Sequence, residues 1–75
     1  MSREKALSGS VESWSWNNGD LEVEFPNGSV YLYHDVPLAD WQAMRISPGG
    51  GKILRERVVL PGNKYEKLNG PINRK

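Results

Sequence analysis

Tyr31 and Tyr33 are the residues whose type and spacing point most directly at chemistry. Two positions apart in a strand, both rings lie on one side of a sheet. Neighbouring rings on an open sheet form a platform on which nucleobases stack. The competing role is packing, in which another element covers the pair. Anion chemistry is offered by Ser47-Pro48-Gly49-Gly50-Gly51-Lys52. A P-loop requires glycine, four residues, then Gly-Lys-Ser/Thr. Ile46 stands where the first glycine belongs and Ile53 where the hydroxyl belongs, so the motif fails at both ends. A looser phosphate site remains open: glycines let backbone N–H groups approach a phosphate, and Lys52, Arg55 and Arg57 follow at once. The alternative is that the glycines are only a flexible link between helices.

Catalytic constellations are poorly supplied. His34 is the single histidine, and a nucleophilic triad needs a base beside a nucleophile with a third group to orient it. At the end of a strand, His34 reads as a packed or rim residue. No His/Cys cluster exists for a metal, and no cofactor motif is present. Glu22 and Glu24 share a strand face, but strand-mates without a pocket are a solvated face or ion-pair partners. The expectation is a binding protein, not an enzyme.

Two Asn-Gly pairs organise the elements around these residues. Asn18-Gly19 separates Trp14-Ser15-Trp16 from Leu21-Glu22-Val23-Glu24-Phe25, and Asn27-Gly28 separates that run from Val30-Tyr31-Leu32-Tyr33-His34. Asn-Gly favours the two-residue hairpin loop, because both of its central residues need positive φ. Two such loops predict a three-stranded antiparallel meander and fix its register. One face then carries Trp14, Trp16, Leu21, Val23, Phe25, Val30, Leu32 and His34 as the core. The other carries Ser13, Ser15, Glu22, Glu24, Tyr31 and Tyr33. The nearby glutamates would repel phosphates from the tyrosines, unless the basic stretch from Lys52 to Lys67 folds across that face.

Asp35-Val36-Pro37 stops the strand and opens a short helix that lays Leu38, Trp41 and Met44 on the core. Residues 52–60 are a second helix candidate, ended by Pro61-Gly62. Lys64 to Leu68 alternates as a fourth, edge strand would. The fold class is α+β, with one or two short helices packed on one face of the meander. Residues 1–9 read as a flexible lead-in, 10–68 as the single domain and 69–75 as a flexible tail.

With 75 residues and no cysteine, the chain has a small core and no disulfide to support it. Oligomerisation is a common remedy, so a homo-oligomer is expected. No apolar run approaches the roughly 20 residues that span a bilayer, and the N-terminus lacks a signal-peptide core, so no membrane partner and a cytoplasmic location are expected. The net charge of +1 hides an asymmetry. Residues 1–44 hold two cations against seven carboxylates, net −5, and residues 45–75 hold eight against two, net +6. The basic half either meets an anionic partner or neutralises the acidic half of its own fold.

From about Val11 to Leu68 the chain resembles the KTSC domain, a small module found at the C-terminus of some lysyl-tRNA synthetases and as a stand-alone bacterial or phage protein. The resemblance is carried by Leu21-Glu22-Val23-Glu24-Phe25, Asn27-Gly28, Tyr31-Leu32-Tyr33 with the family's central YxY, Asp35-Val36-Pro37, and Ser47 with a following glycine. Lys52-Ile53-Leu54 stands where family members often show an aromatic-Asn pair. The synthetase setting implies RNA binding. Three functions therefore stay open. The first is a module for nucleic acid or a nucleotide, using Tyr31, Tyr33, Lys52, Arg55 and Arg57. The second is a homo-oligomeric, phage-type sponge for a small nucleotide signal, since one small chain has little room for a pocket. The third is a protein-interaction module whose partner covers the tyrosine face.

Overall fold

The computed structural model describes residues 3–69. Five strands form one antiparallel sheet in sequence order: β1 Glu4–Lys5, β2 Ser13–Asn17, β3 Asp20–Glu24, β4 Val30–Tyr33 and β5 Tyr65–Asn69. Between β4 and β5 come α1 Leu38–Arg45, α2 Gly50–Leu54 and a π-helical segment Arg55–Val59 that continues α2. The fold is α+β, a meander with helices on one face.

The first hairpin is as predicted. Asn18 and Gly19 have φ of 51° and 90°, Asn17 pairs with Asp20, and Trp16 faces Leu21. The second hairpin is not. Val23 faces Tyr31 and Leu21 faces Tyr33, one residue away from the expected register. A one-residue slip turns every side chain to the other face. Tyr31 and Tyr33 therefore lie on the helix-covered side with Val23 and Leu21, and Leu32 and His34 do not belong to that face. Pro26 is the cause. A two-residue Asn27-Gly28 loop would require Pro26 to donate an N–H in its closing pair, and proline has none. Phe25 and Ser29 close the loop instead: the Phe25 N–H donates to the Ser29 carbonyl at 2.9 Å. The Gly28 N–H donates to the Phe25 carbonyl, also at 2.9 Å, with Gly28 at φ 91°. This is a three-residue loop, a turn followed by a left-handed residue, and proline's fixed φ suits its first position.

The core lies between this face and the helices. Trp14, Leu21, Val23, Met44, Val58 and Val36 are its fully buried members. Trp14 meets Trp41 edge to face, with centroids 5.6 Å apart. Trp41 and Met44 are buried as expected, but Leu38, at the start of α1, is 48% exposed. The glycines before Lys52 are not a flexible link. A Cβ on Gly50 would collide with the Met44 carbonyl and come within 2.7 Å of the Trp14 ring. One on Gly51 would lie 2.7 Å from Ser8 Oγ and 2.8 Å from Ser10 Cβ. Their missing side chains let α2 sit directly on the sheet and the β1–β2 connection.

Within the expected lead-in over residues 1–9, residues 1 and 2 lie outside the described residues and Glu4–Lys5 form β1. Glu4 pairs with Trp14 and Lys5 with Ser13, and Ala6 and Ser8 are buried. The segment is polar because β1 is a sheet edge whose side chains meet charges rather than a core. Glu4 accepts from Arg45 at 2.6 Å, and neighbouring Arg3 bonds Glu22, Glu24 and Ser13. β5 supplies the fourth strand of the prediction, at the opposite edge. Of the predicted 69–75 tail, Asn69 belongs to β5, and 70–75 lie outside the described residues.

Candidate functional site

A cleft of about 900 Å3 opens between the β4–β5 end of the sheet and the helical run from α2 through the π-helical segment. Tyr31, Tyr33, Tyr65 and Phe25 line its sheet side. The alternation of β4 places Tyr31 and Tyr33 together, and pairing with β5 sets Tyr65 opposite Tyr33. The rings form one cluster. Tyr31 stacks on Tyr33 with centroids 6.1 Å apart and 15° between planes. Tyr65 lies 5.6 Å from Tyr31 and 5.7 Å from Tyr33. Phe25 meets Tyr31 edge to face at 5.7 Å. Tyr33 forms the buried base at 6% exposure, while Tyr65 is 59% exposed. Burial, then the neighbouring Tyr31 and Tyr65, push the Tyr33 phenol above its ordinary 10.0. It therefore remains a protonated hydroxyl, able to donate, throughout the neutral range.

The opposite wall brings Lys52 and Arg55 to the same cleft. A π-helical turn carries the wall onward, with the Leu60 N–H bonded back to the Arg55 carbonyl at 2.8 Å. Val58 points into the core, while Arg55, Val59 and Leu60 border the cleft. Such π segments are rare in helices and often occur at functional sites. Arg57 is not part of the cleft lining and bonds Asp40 at 3.0 Å. Residues two apart on a helix do not share a face, and Arg57 is turned toward Asp40 while Arg55 lines the cleft. Two of the three glycine N–H groups are already taken within the loop: Ser47 Oγ accepts that of Gly49 at 3.0 Å, and the Ser47 carbonyl accepts that of Gly50 at 3.0 Å.

Of the described cations, Lys52 and Arg55 line the cleft. Arg3, Arg45 and Arg57 are in ion pairs with carboxylates elsewhere on the fold. Among the described residues, Lys52, Arg55 and Lys67 make no ion pair, and Lys67 Nζ lies 5.9 Å above the Tyr31 ring. Glu22 and Glu24, on the far face, are held by Arg3 and do not oppose an anion in the cleft. Sequence reasoning missed Phe25, Tyr65 and Lys67. The signal for the last two was the alternating stretch after Lys64, which needed only its pairing partner.

His34 is not a core residue. It sits just past the end of the interior strand β4, between Asp20 and Glu66, with 2.9 Å from each ring nitrogen to a carboxylate oxygen. Its carboxylate hydrogen bonds, Asp20's first and then Glu66's, raise its pKa above 6.5. Among the described residues no helix is long and apolar enough to cross a membrane.

A five-stranded meander closed on one face by short helices, with an aromatic and cationic cleft between the layers, defines a small α+β domain. The chain belongs to the KTSC domain family, whose description matches residues 8–58, well over half of the sequence. That stretch contains Tyr31, Tyr33, Lys52 and Arg55, while Tyr65 and Lys67 lie beyond it. A comparison with curated proteins finds no match to this sequence.

Proposed function

We propose that the domain is a cytoplasmic, non-catalytic binding module for a nucleotide unit, free or within a nucleic-acid strand. The observation that carries this reading is the meeting of a three-tyrosine cluster with the unpaired cations Lys52 and Arg55 in one cleft. An aromatic cluster offers stacking to any base, and the cations offer charge to the phosphate. The cleft volume lies in the range of small-ligand sites, roughly 300–1,000 Å3. It is formed within a single chain, so a sequestering protein of this kind would not need a subunit interface to make its pocket.

Titration calorimetry with AMP, GMP, CMP and UMP, alongside anisotropy of a short labelled single-stranded RNA, tests the reading. Saturable binding that weakens with salt and is lost in Tyr31→Ala supports it. Indifference to every nucleotide and to the RNA rejects it. A second reading is favoured by the exposed apolar rim, where Val59, Leu60 and Tyr65 are 42%, 65% and 59% exposed. Such a rim suits a protein segment laid across the cleft. A stoichiometric protein partner that survives nuclease treatment, with no nucleotide binding, would favour that reading.

A further inference from the structure

Strand β5 contributes Tyr65, one of the four rings of the aromatic wall, yet little holds it. It is an edge strand, and Tyr65 to Leu68 are all exposed. Its attachments are the ladder to β4, the ring contacts of Tyr65, and polar ties at its start. The His34 N–H donates to the Lys64 carbonyl at 2.8 Å, and Asn63 Nδ2 donates to the His34 carbonyl at 2.9 Å. Edge segments with few buried apolar contacts open at lower free energy than the core does. Tyr65 and Lys67 ride on this segment, so the completeness of the cleft depends on how firmly β5 is docked.

The His34 ring supplies a further tie, and its geometry favours the charged form. Nδ1 lies 2.9 Å from Asp20 Oδ1 on β3, and Nε2 lies 2.9 Å from Glu66 Oε2 on β5. Both carboxylates only accept hydrogen bonds. A neutral imidazole has one N–H and can serve one of them, whereas the imidazolium donates to both. These two carboxylates are the charged side chains in contact with the ring. Lys64 of the β5 approach meets His34 through its backbone carbonyl. Across the ladder, the bridge joins the interior strand β3 to the edge strand β5 over the end of β4.

We infer that His34 is a positioning residue: its two-sided bridge from Asp20 to Glu66 clamps strand β5, and with it Tyr65 and Lys67, against the cleft. Loss of the ring proton breaks one side of the bridge and loosens the strand. The raised pKa of His34 puts that loss above its ordinary 6.5. The functional consequence rests on the nucleotide reading of the cleft, but the clamp itself can be measured without any ligand.

Amide hydrogen exchange of the full chain, read by NMR as protection factors at about pH 6 and about pH 8, tests the clamp across the histidine range. The wild-type β5 amides are expected to lose protection at least several-fold between the two, while the β2–β3 amides hold theirs. In His34→Gln, and independently in Glu66→Gln, β5 protection is expected to be low and equal at both. The inference is overturned by wild-type β5 protection that does not change with pH, or by either variant retaining wild-type protection. AMP titration on the same samples separates the two ideas. pH-dependent β5 exchange without AMP or RNA binding keeps the clamp and removes the nucleotide reading. Binding with pH-independent exchange does the reverse.

Discussion

Tyr33 and Tyr65 face each other across the β4–β5 ladder with ring centroids 5.7 Å apart, one buried to 6% exposure and the other 59% exposed. The two rings share one aromatic cluster and differ in what removing them should do. Tyr33→Ala empties a core position and is expected to cost about 3 kcal/mol of folding stability. Tyr65→Ala removes an exposed ring and should cost under about 1 kcal/mol. If the cleft stacks a base, Tyr65→Ala should still weaken AMP or RNA binding by about 1–3 kcal/mol. Urea melts alongside calorimetry check both halves. Equal stability losses for the two variants would contradict the burial difference.

Arg55 and Arg57 provide a second paired test. Arg55 lines the cleft, whereas Arg57 is bonded to Asp40 at 3.0 Å. Arg55→Ala is expected to reduce the slope of log affinity against log salt by about 1 for a short RNA. Arg57→Ala should leave that slope unchanged. Because Arg57 is well exposed, its loss should change stability by less than about 1 kcal/mol. A salt slope that responds to Arg57 instead would move the anion site to the other side of the helix.

The sequence makes most of the architecture legible, and the places where it misleads have physical causes. Asn18-Gly19 specifies its hairpin because the two residues before it and the two after it can all pair. Asn27-Gly28 carries the same dipeptide, but Pro26 stands where a donor is required, and the loop takes one more residue. The resulting slip exchanges the faces of Tyr31 and Tyr33. The two tyrosines nonetheless meet Lys52 and Arg55, because the helices pack on the face to which the rings moved. The meeting with Tyr65 was out of reach, since it depends on a long-range pairing with no local turn to announce it. β1 was missed because a two-residue edge strand of charged residues carries no alternation to detect.

The glycine run yields a stability prediction that separates packing from flexibility. Gly50→Ala should destabilise the fold by about 1–3 kcal/mol, because its Cβ would meet the Met44 carbonyl and the Trp14 ring. Gly49→Ala, whose Cβ meets only Ser47 Oγ at 3.6 Å, should be tolerated within about 0.5 kcal/mol. Melting temperatures of the two variants decide the matter. If both behave alike, the close approach of α2 to the sheet is not what the glycines provide.

The pH dependence of folding follows from two groups that bind protons more tightly in the folded chain. Hydrogen bonds donated to Asp20 and then Glu66 raise the pKa of His34, and burial followed by Tyr31 and Tyr65 raises that of Tyr33. In both cases the folded state holds its proton to higher pH than the unfolded chain does, so stability falls as pH rises. The His34 contribution is fully present below 6.5, its unfolded value, and is lost as pH climbs through the raised folded value. The Tyr33 contribution behaves likewise above 10.0. Urea midpoints measured against pH should therefore fall more steeply above neutrality for the wild type than for His34→Gln. Tyr33→Phe should remove only the alkaline part of the fall. Parallel curves for wild type and His34→Gln would show that the Asp20–His34–Glu66 bridge contributes no pH-dependent stability.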